Sequence, residues 1–128
     1  MAYGEKPDQS DWRVAVKDPR DPEGEYLGAI TLKGGEFLST SGDYERYFME
    51  NGKRYHHILD PETGYPVWNG LTAVTVSATA ELWQTVFPLP ALCWEKKSLP
   101  LLENTGRCAF ADENHKVYLT EGMEERLS

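Results

Sequence analysis

The sequence predicts an α+β domain, a mostly antiparallel sheet with few flanking helices. Short runs rich in β-branched and aromatic residues recur along the 128-residue chain. Turn-forming pairs such as Gly34-Gly35 and Asn51-Gly52 separate them. Helical signal is confined to Ser98 to Asn104, a short helix stopped by Gly106.

Taken in order, Trp12 to Val16 alternates as a strand, and the two prolines and glycine of Lys17 to Gly24 close it as a loop. Tyr26 to Leu32 is the next strand, Lys33-Gly34-Gly35 a tight turn, and Glu36 to Thr40 the strand expected to pair back on it. Tyr44 to Met49 then leads into a hairpin turn at Glu50-Asn51-Gly52-Lys53, where Asn-Gly supplies positive φ. Arg54 to Leu59 is a strand ending in the Asp60-Pro61-Glu62-Thr63-Gly64 turn. Leu71 to Ala78, a β-branched run, is the expected central strand. Cys108 to Ala111 and Lys116 to Leu119 form a last hairpin, and Gly122 to Leu127 a frayed terminal turn.

This length, with 40% hydrophobic residues, is enough for one modest domain and leaves no room for a second. A net charge of −8 argues against a nucleic-acid groove, which needs clustered Lys and Arg. No apolar run reaches the ~18 residues of a membrane span. The N-terminal MAYGEKPDQSDW has neither the basic start nor the apolar stretch of a signal peptide, so the chain as written carries no address. Cys93 and Cys108 fit no metal-ligand spacing or disulfide framework and read as unpaired thiols or packing residues.

The densest chemistry lies in residues 41–66, SGDYERYFMENGKRYHHILDPETGYP. A Gly-Asp turn, an Arg, a histidine pair and an Asp-Pro-x-Thr-Gly turn crowd together there. The stretch resembles the pattern of the FAD:protein FMN transferases, the ApbE-type flavin transferases, in which TSGDYERYF is followed by (H)I(I/L)DPxTGYP. Residues 12–25, WRVAVKDPRDPEGE, are similar to that family's WRVGIQDPRDP. The resemblance implies the C-terminal half of the flavin transferase fold, a single partial domain over residues 1–128. The other half, which in relatives carries the export signal, further FAD contacts and another metal ligand, is absent, and Met1 is expected to be an internal methionine taken as a start. Family parents are typically membrane-anchored lipoproteins of the cell envelope.

Residues 80–97, AELWQTVFPLPALCWEKK, break the pattern: two prolines and two tryptophans follow a clean strand without helical periodicity. Reading from the last base of the Trp83 codon, Gln84 forces GCA, an Ala, and then Asp or Asn. Cys93-Trp94-Glu95 force Leu and Gly in the same frame. The permitted peptide Ala-Asp-Gly-Leu-Ser-Thr-Ala-Cys-Phe-Val-Leu-Gly resembles the family's Ala-Asp-Ala-Leu-Ser-Thr-Ala with Leu-Gly behind it. Residues 80–97 are therefore expected to be an out-of-frame segment.

The resemblance implies cleavage of the FAD pyrophosphate and attachment of FMN, through its phosphate, to a Thr or Ser hydroxyl of an acceptor flavoprotein, with release of AMP. Such a reaction needs charge neutralisation, here by Mg²⁺, and a base for the attacking hydroxyl. The family pattern places the base on His57 and the cofactor contacts on Thr40, Ser41, Gly42 and the backbone of Ile58. An ordinary polar strand residue is the competing reading of His57, and a simple β-turn that of Thr40 to Gly42. Arg46 is a phosphate partner or the ion-pair partner of Asp43 or Asp60. Asp60 caps the turn after His57. Tyr44, Tyr47, Phe48 and Tyr55 are expected in the core rather than on a flavin. The family's metal-binding Asp and Thr stand four residues apart; Glu81 and Thr85 reproduce that spacing as written, and in the shifted frame the pair falls between Gln84 and Leu89.

Two function classes follow. One is a piece of a Mg²⁺-dependent FAD:protein FMN transferase, inactive on its own. The other is a non-catalytic flavin-binding or structural module. A metal hydrolase built on His56 and His57 is disfavoured because neighbours on a strand point apart.

Overall fold

The structure, a computed structural model, describes residues 1–21, 23–24, 26–79 and 107–128. The predicted helix at Ser98 to Asn104, Cys93 and the 80–97 segment lie outside the described residues. Among the described residues, eight strands and one short helix follow in order: β1 (Trp12–Lys17), β2 (Tyr26–Leu32), β3 (Glu36–Gly42), β4 (Tyr47–Glu50), β5 (Lys53–His56), β6 (Leu71–Thr79), β7 (Arg107–Asp112), β8 (Val117–Leu119) and α1 (Glu121–Glu124). They form an antiparallel sheet of order β3-β6-β7-β8 and two antiparallel pairs, β1-β2 and β4-β5. This is the α+β architecture that the sequence predicts.

β6 is central, as its composition requires, and is buried from Leu71 to Ala78. Covered on both faces, it separates two apolar clusters. Leu71, Val74 and Val76 pack with Cys108 and Phe110 on one side, where Ile58 and Tyr118 join them. On the other, Ala109 meets Val16, Ile30, Leu32 and Met123. Cys108 and Ala109, adjacent on β7, thus serve opposite clusters, the period-2 alternation of a strand.

Four expectations are corrected. β3 does not pair back on β2 but runs along β6, with Gly42 opposite Ala73. β2 already has β1 on one side, while on the other Leu127 lies opposite Ile30, with Ser128 bonded to Ala29 and the Arg126 carbonyl accepting from the Thr31 N–H. The buried Glu36 carboxylate accepts from Arg107 at 2.7 Å, Arg126 at 2.6 Å and the Lys33 N–H at 2.8 Å, fastening the start of β3 to β7 and the C-terminus.

The strand expected over Arg54 to Leu59 ends at His56, because the His57 N–H turns to the Arg46 carbonyl, beyond the start of β4. The C-terminus is not frayed: Met123 is fully buried, and Ser128 and Ala29 exchange backbone hydrogen bonds of 2.9 and 3.1 Å. Tyr47 and Phe48 are exposed rather than in the core. No second layer covers the β4–β5 hairpin among the described residues, so its rings cover one another: Phe48 stacks on Tyr55 at 5.1 Å, and Tyr55 meets Trp68 edge-on at 5.5 Å. Tyr44 and Tyr55 are half-buried.

Candidate functional site

The end of β3, the end of β5 and the 57–70 turn region form the candidate site. Asn51 and Gly52 both have positive φ, 50° and 74°, giving the hairpin turn their sequence predicts and returning β5 beside β4. Asp43, directly after Gly42, is buried and takes two nitrogens of Arg20 at 3.1 and 3.0 Å and one of Arg54 at 3.4 Å. Its N–H donates to the Thr72 carbonyl at 2.9 Å. Asp43 thereby joins the 17–21 loop and β5 through its carboxylate, and the end of β3 to the start of β6 through its N–H.

That loop is held in turn by Asp18, whose carboxylate accepts from the Arg20 N–H at 2.9 Å and pairs with His115 at 2.8 Å. Burial acts to raise the Asp18 pKa, but the hydrogen bonds from His115 and the Arg20 backbone outweigh it and hold the carboxyl below its ordinary value.

His57 is exposed, and both its N–H and its Nδ1 lie 3.3 Å from the Arg46 carbonyl oxygen. A carbonyl only accepts, so Nδ1 is the donor in this contact, and in the neutral ring that leaves the lone pair on Nε2, the form a general base requires. His56 is buried instead; its Nε2 donates to the Val67 carbonyl at 3.0 Å, and its Nδ1 has no hydrogen-bond partner among the described residues. The two histidines have separate environments, consistent with the argument against a joint metal site.

The remaining predicted residues divide. Thr40 and Ser41 are exposed, and the Thr40 hydroxyl is engaged with that of Thr75 at 2.9 Å. Gly42 is buried under the Tyr44 ring, which occupies the space a Cβ would need. Burial, then the charges of Glu45 and Asp43, raise the Tyr44 pKa. Ile58 packs on the Val74 cluster, and its carbonyl accepts from the Val67 N–H at 3.1 Å. Asp60 caps its turn as expected, accepting from the N–H groups of Glu62 at 2.8 Å and Thr63 at 3.3 Å, with Gly64 at φ 71°.

Arg46 has no ion pair among the described residues; Arg20 and Arg54 take Asp43 instead. A cleft of about 380 Å³ opens here, lined by Asp43, Arg20, Arg54, His56 and Thr72. It contains the neighbours of Gly42 and His57 in sequence rather than those residues themselves. Arg20 was missed as a site residue, although its DPR segment lies within the stretch similar to the family pattern.

Glu81 and Thr85 lie outside the described residues. Among the described residues no group of three or more His, Cys, Asp or Glu is placed to hold a metal ion. No helix among them is long and apolar enough to cross a membrane.

The ApbE family model matches residues 1–99. An FAD:protein FMN transferase of Klebsiella pneumoniae (strain 342) is 42% identical over 123 residues, covering 92% of this chain and 38% of the relative. One from Rhodobacter capsulatus is 46% identical over 74 residues, 58% of this chain and 13% of the relative. Among solved structures, the ApbE protein of Thermotoga maritima superposes with a TM-score of 0.80 at 33% identity, over 98% of this chain and 41% of that one. The apo flavinyl transferase ApbE of Pseudomonas stutzeri gives 0.67 at 32% identity, over 97% and 39%. The chain thus spans about two fifths of the length of the Klebsiella, Thermotoga and Pseudomonas proteins. On the family match and this identity, the chain belongs to the ApbE family.

Proposed function

We propose that this chain is part of a Mg²⁺-dependent FAD:protein FMN transferase, which joins FMN from FAD by a phosphoester to a Thr or Ser of an acceptor flavoprotein and releases AMP. The observation that carries the reading is the setting of His57: the residue is exposed and its Nδ1 lies 3.3 Å from the Arg46 carbonyl oxygen, a contact that in the neutral ring leaves the lone pair on Nε2. In this reading Nε2 removes the proton of the acceptor hydroxyl as its oxygen forms a bond to the phosphorus of the FMN moiety. The bond from that phosphorus to the bridging oxygen breaks, and AMP departs with the oxygen. Thr40, Ser41 and Gly42 supply contacts to the flavin nucleotide, and the Ile58 N–H is a further donor. Mg²⁺ offsets phosphate charge in such a reaction; none of its ligands is assigned to the described residues.

We also propose that residues 80–97 are out of frame. The gene sequence tests this: a one-base slip near codon 82 with a compensating slip before codon 97 is expected, and an alternative family-like frame interrupted by stop codons would refute it.

The functional reading is tested in a chimera in which residues 1–79 of this chain replace the matching stretch of the Klebsiella relative. His57→Ala is expected to lower kcat by about 10² to 10⁴ while FAD still binds, the usual weight of a positioned base. Full activity of that variant would remove His57 from the chemistry.

A further inference from the structure

His56 ends β5 and is 7% exposed, and its Nδ1 is buried without a hydrogen-bond partner among the described residues. Its Nε2 lies 3.0 Å from the Val67 carbonyl oxygen. A carbonyl only accepts, so Nε2 is the donor, and in the neutral ring Nδ1 keeps a lone pair that calls for an O–H or N–H group. A buried acceptor left unmet is costly, so a ligand that supplies such a group gains by it.

His56 lines the 380 Å³ cleft with Arg20, Lys53, Arg54, Asp43 and Glu113, whereas His57 is not part of its wall. The Arg20 and Arg54 side chains are only 20% and 28% exposed. Each guanidinium has five N–H groups. Asp43 takes two from Arg20 and one from Arg54, and among the described residues no other side-chain hydrogen bond engages the rest. At the rim the Lys53 Nζ sits 3.2 Å from the centre of the Trp68 ring. Three cations stand in this wall against the carboxylates of Asp43 and Glu113, which leaves positive charge in excess. Free donors, one free acceptor and that excess meet in a single cleft.

We propose that this cleft binds hydrogen phosphate. The phosphate O–H donates to His56 Nδ1, and its other oxygens accept from the free N–H groups of Arg20 and Arg54, with Lys53 adding charge at the rim. A fully deprotonated anion would satisfy the arginines and leave Nδ1 unmet. A neutral alcohol would satisfy Nδ1 and leave the guanidinium groups unmet. An oxyanion that keeps one O–H answers both. Asp43 holds the two arginines in place beforehand, so little order has to be gained on binding. Because His57 lies outside the wall, the site is independent of any role of His57 as a base.

Titration calorimetry of this chain at about pH 8 and constant ionic strength compares inorganic phosphate, sulfate and methyl phosphate. All three are mainly dianions there and phosphate alone keeps an O–H, so the charge is matched and only the donor differs. Phosphate is expected to bind with a Kd below about 1 mM. Sulfate and methyl phosphate should bind at least about tenfold more weakly, because a site that accepts from a hydroxyl rejects the analogue lacking it. His56→Phe keeps a ring and removes the acceptor; it should bring phosphate down to the level of sulfate and leave sulfate unchanged, a loss of selectivity that mere loosening would not produce. Lys53→Gln, at the exposed rim, should weaken all three by about threefold with the selectivity kept, and it tests the cleft even where His56→Phe fails to fold. The proposal is overturned if phosphate binds more weakly than about 1 mM, if sulfate or methyl phosphate binds within about tenfold of it, or if either folded variant binds phosphate as tightly as the parent.

Discussion

Replacing Asp43 by Asn keeps the shape of the side chain and deletes the charge that two arginines share. The carboxylate is 6% exposed and makes three contacts of 3.0 to 3.4 Å with Arg20 and Arg54. Breaking one side of a fully buried pair costs about 3–5 kcal/mol, whereas an exposed pair is worth about 0–1 kcal/mol. The two arginine side chains retain 20% and 28% exposure, so their released guanidinium groups recover part of their hydration. A loss of about 2–3 kcal/mol is therefore expected. With a urea slope on the order of 1.5 kcal/mol/M, that is a fall in midpoint of about 1.3–2 M at unchanged slope. A double-mutant cycle with Arg20→Leu should return a coupling of at least about 1 kcal/mol, larger than that with Arg54→Leu, which loses only the 3.4 Å contact. Couplings below about 0.3 kcal/mol for both pairs would show that Asp43 does not join the loop to the sheet.

Acid should release the start of β3. Burial alone would raise the Glu36 pKa, but the Lys33 N–H, Arg126 and Arg107 outweigh it and hold the folded value below 4.5. The contribution of Glu36 is thus fully present above about 4.5 and is lost as pH falls through the lowered folded value. Unfolding followed from pH 7 downward should show a Glu36→Gln variant already destabilised at neutrality and less sensitive to acid than the parent; equal acid sensitivity would refute the assignment. Cys108 is fully buried and its thiol is pushed up to about 11 by desolvation, so mass spectrometry should find it unmodified by iodoacetamide at pH 8 until urea unfolds the chain. Rapid labelling of folded protein at Cys108 would contradict the packing. Gly42→Ala should displace the Tyr44 ring and cost about 1–3 kcal/mol by overpacking, with a matching shift in Tyr44 near-ultraviolet dichroism; an unchanged spectrum and stability would refute the close approach.

Local chemistry was legible and long-range pairing was not. The β-branched run at Leu71 announced the central strand, Asn51-Gly52 its hairpin turn, and Asp60 its own cap, because each of these is decided within a few residues. The turn at Lys33 to Gly35 permits either a hairpin or a departure to another sheet; the choice rests on Glu36 meeting Arg107 and Arg126, which lie far along the chain. The same applies to Asp43. Arg46 is nearer in sequence, but Arg20 and Arg54 reach it through space. Alternation of aromatics in β4 and β5 defines two faces without saying which is covered, and both Tyr47 and Phe48 prove exposed. At the candidate site, the motif singles out His57, while the contact of its Nδ1 with the Arg46 carbonyl involves a backbone group that no residue pattern records.

Covalent flavin attached to a Thr-containing acceptor, measured by fluorescence with FAD and Mg²⁺, tests the central claim most directly. Three proteins are compared: the chain as written, the same chain with residues 80–97 restored to the shifted frame, and the restored chain joined to the portion of the Klebsiella relative that it does not span. Flavin transfer is expected from the joined protein alone, because misplacement of a substrate by about 1 Å can cost on the order of 100-fold and the short chains span only two fifths of the Klebsiella relative. FMN transfer by the chain as written would contradict both the out-of-frame reading and the claim that this is one part of a larger catalytic unit, and silence from the joined protein would contradict the transferase reading itself.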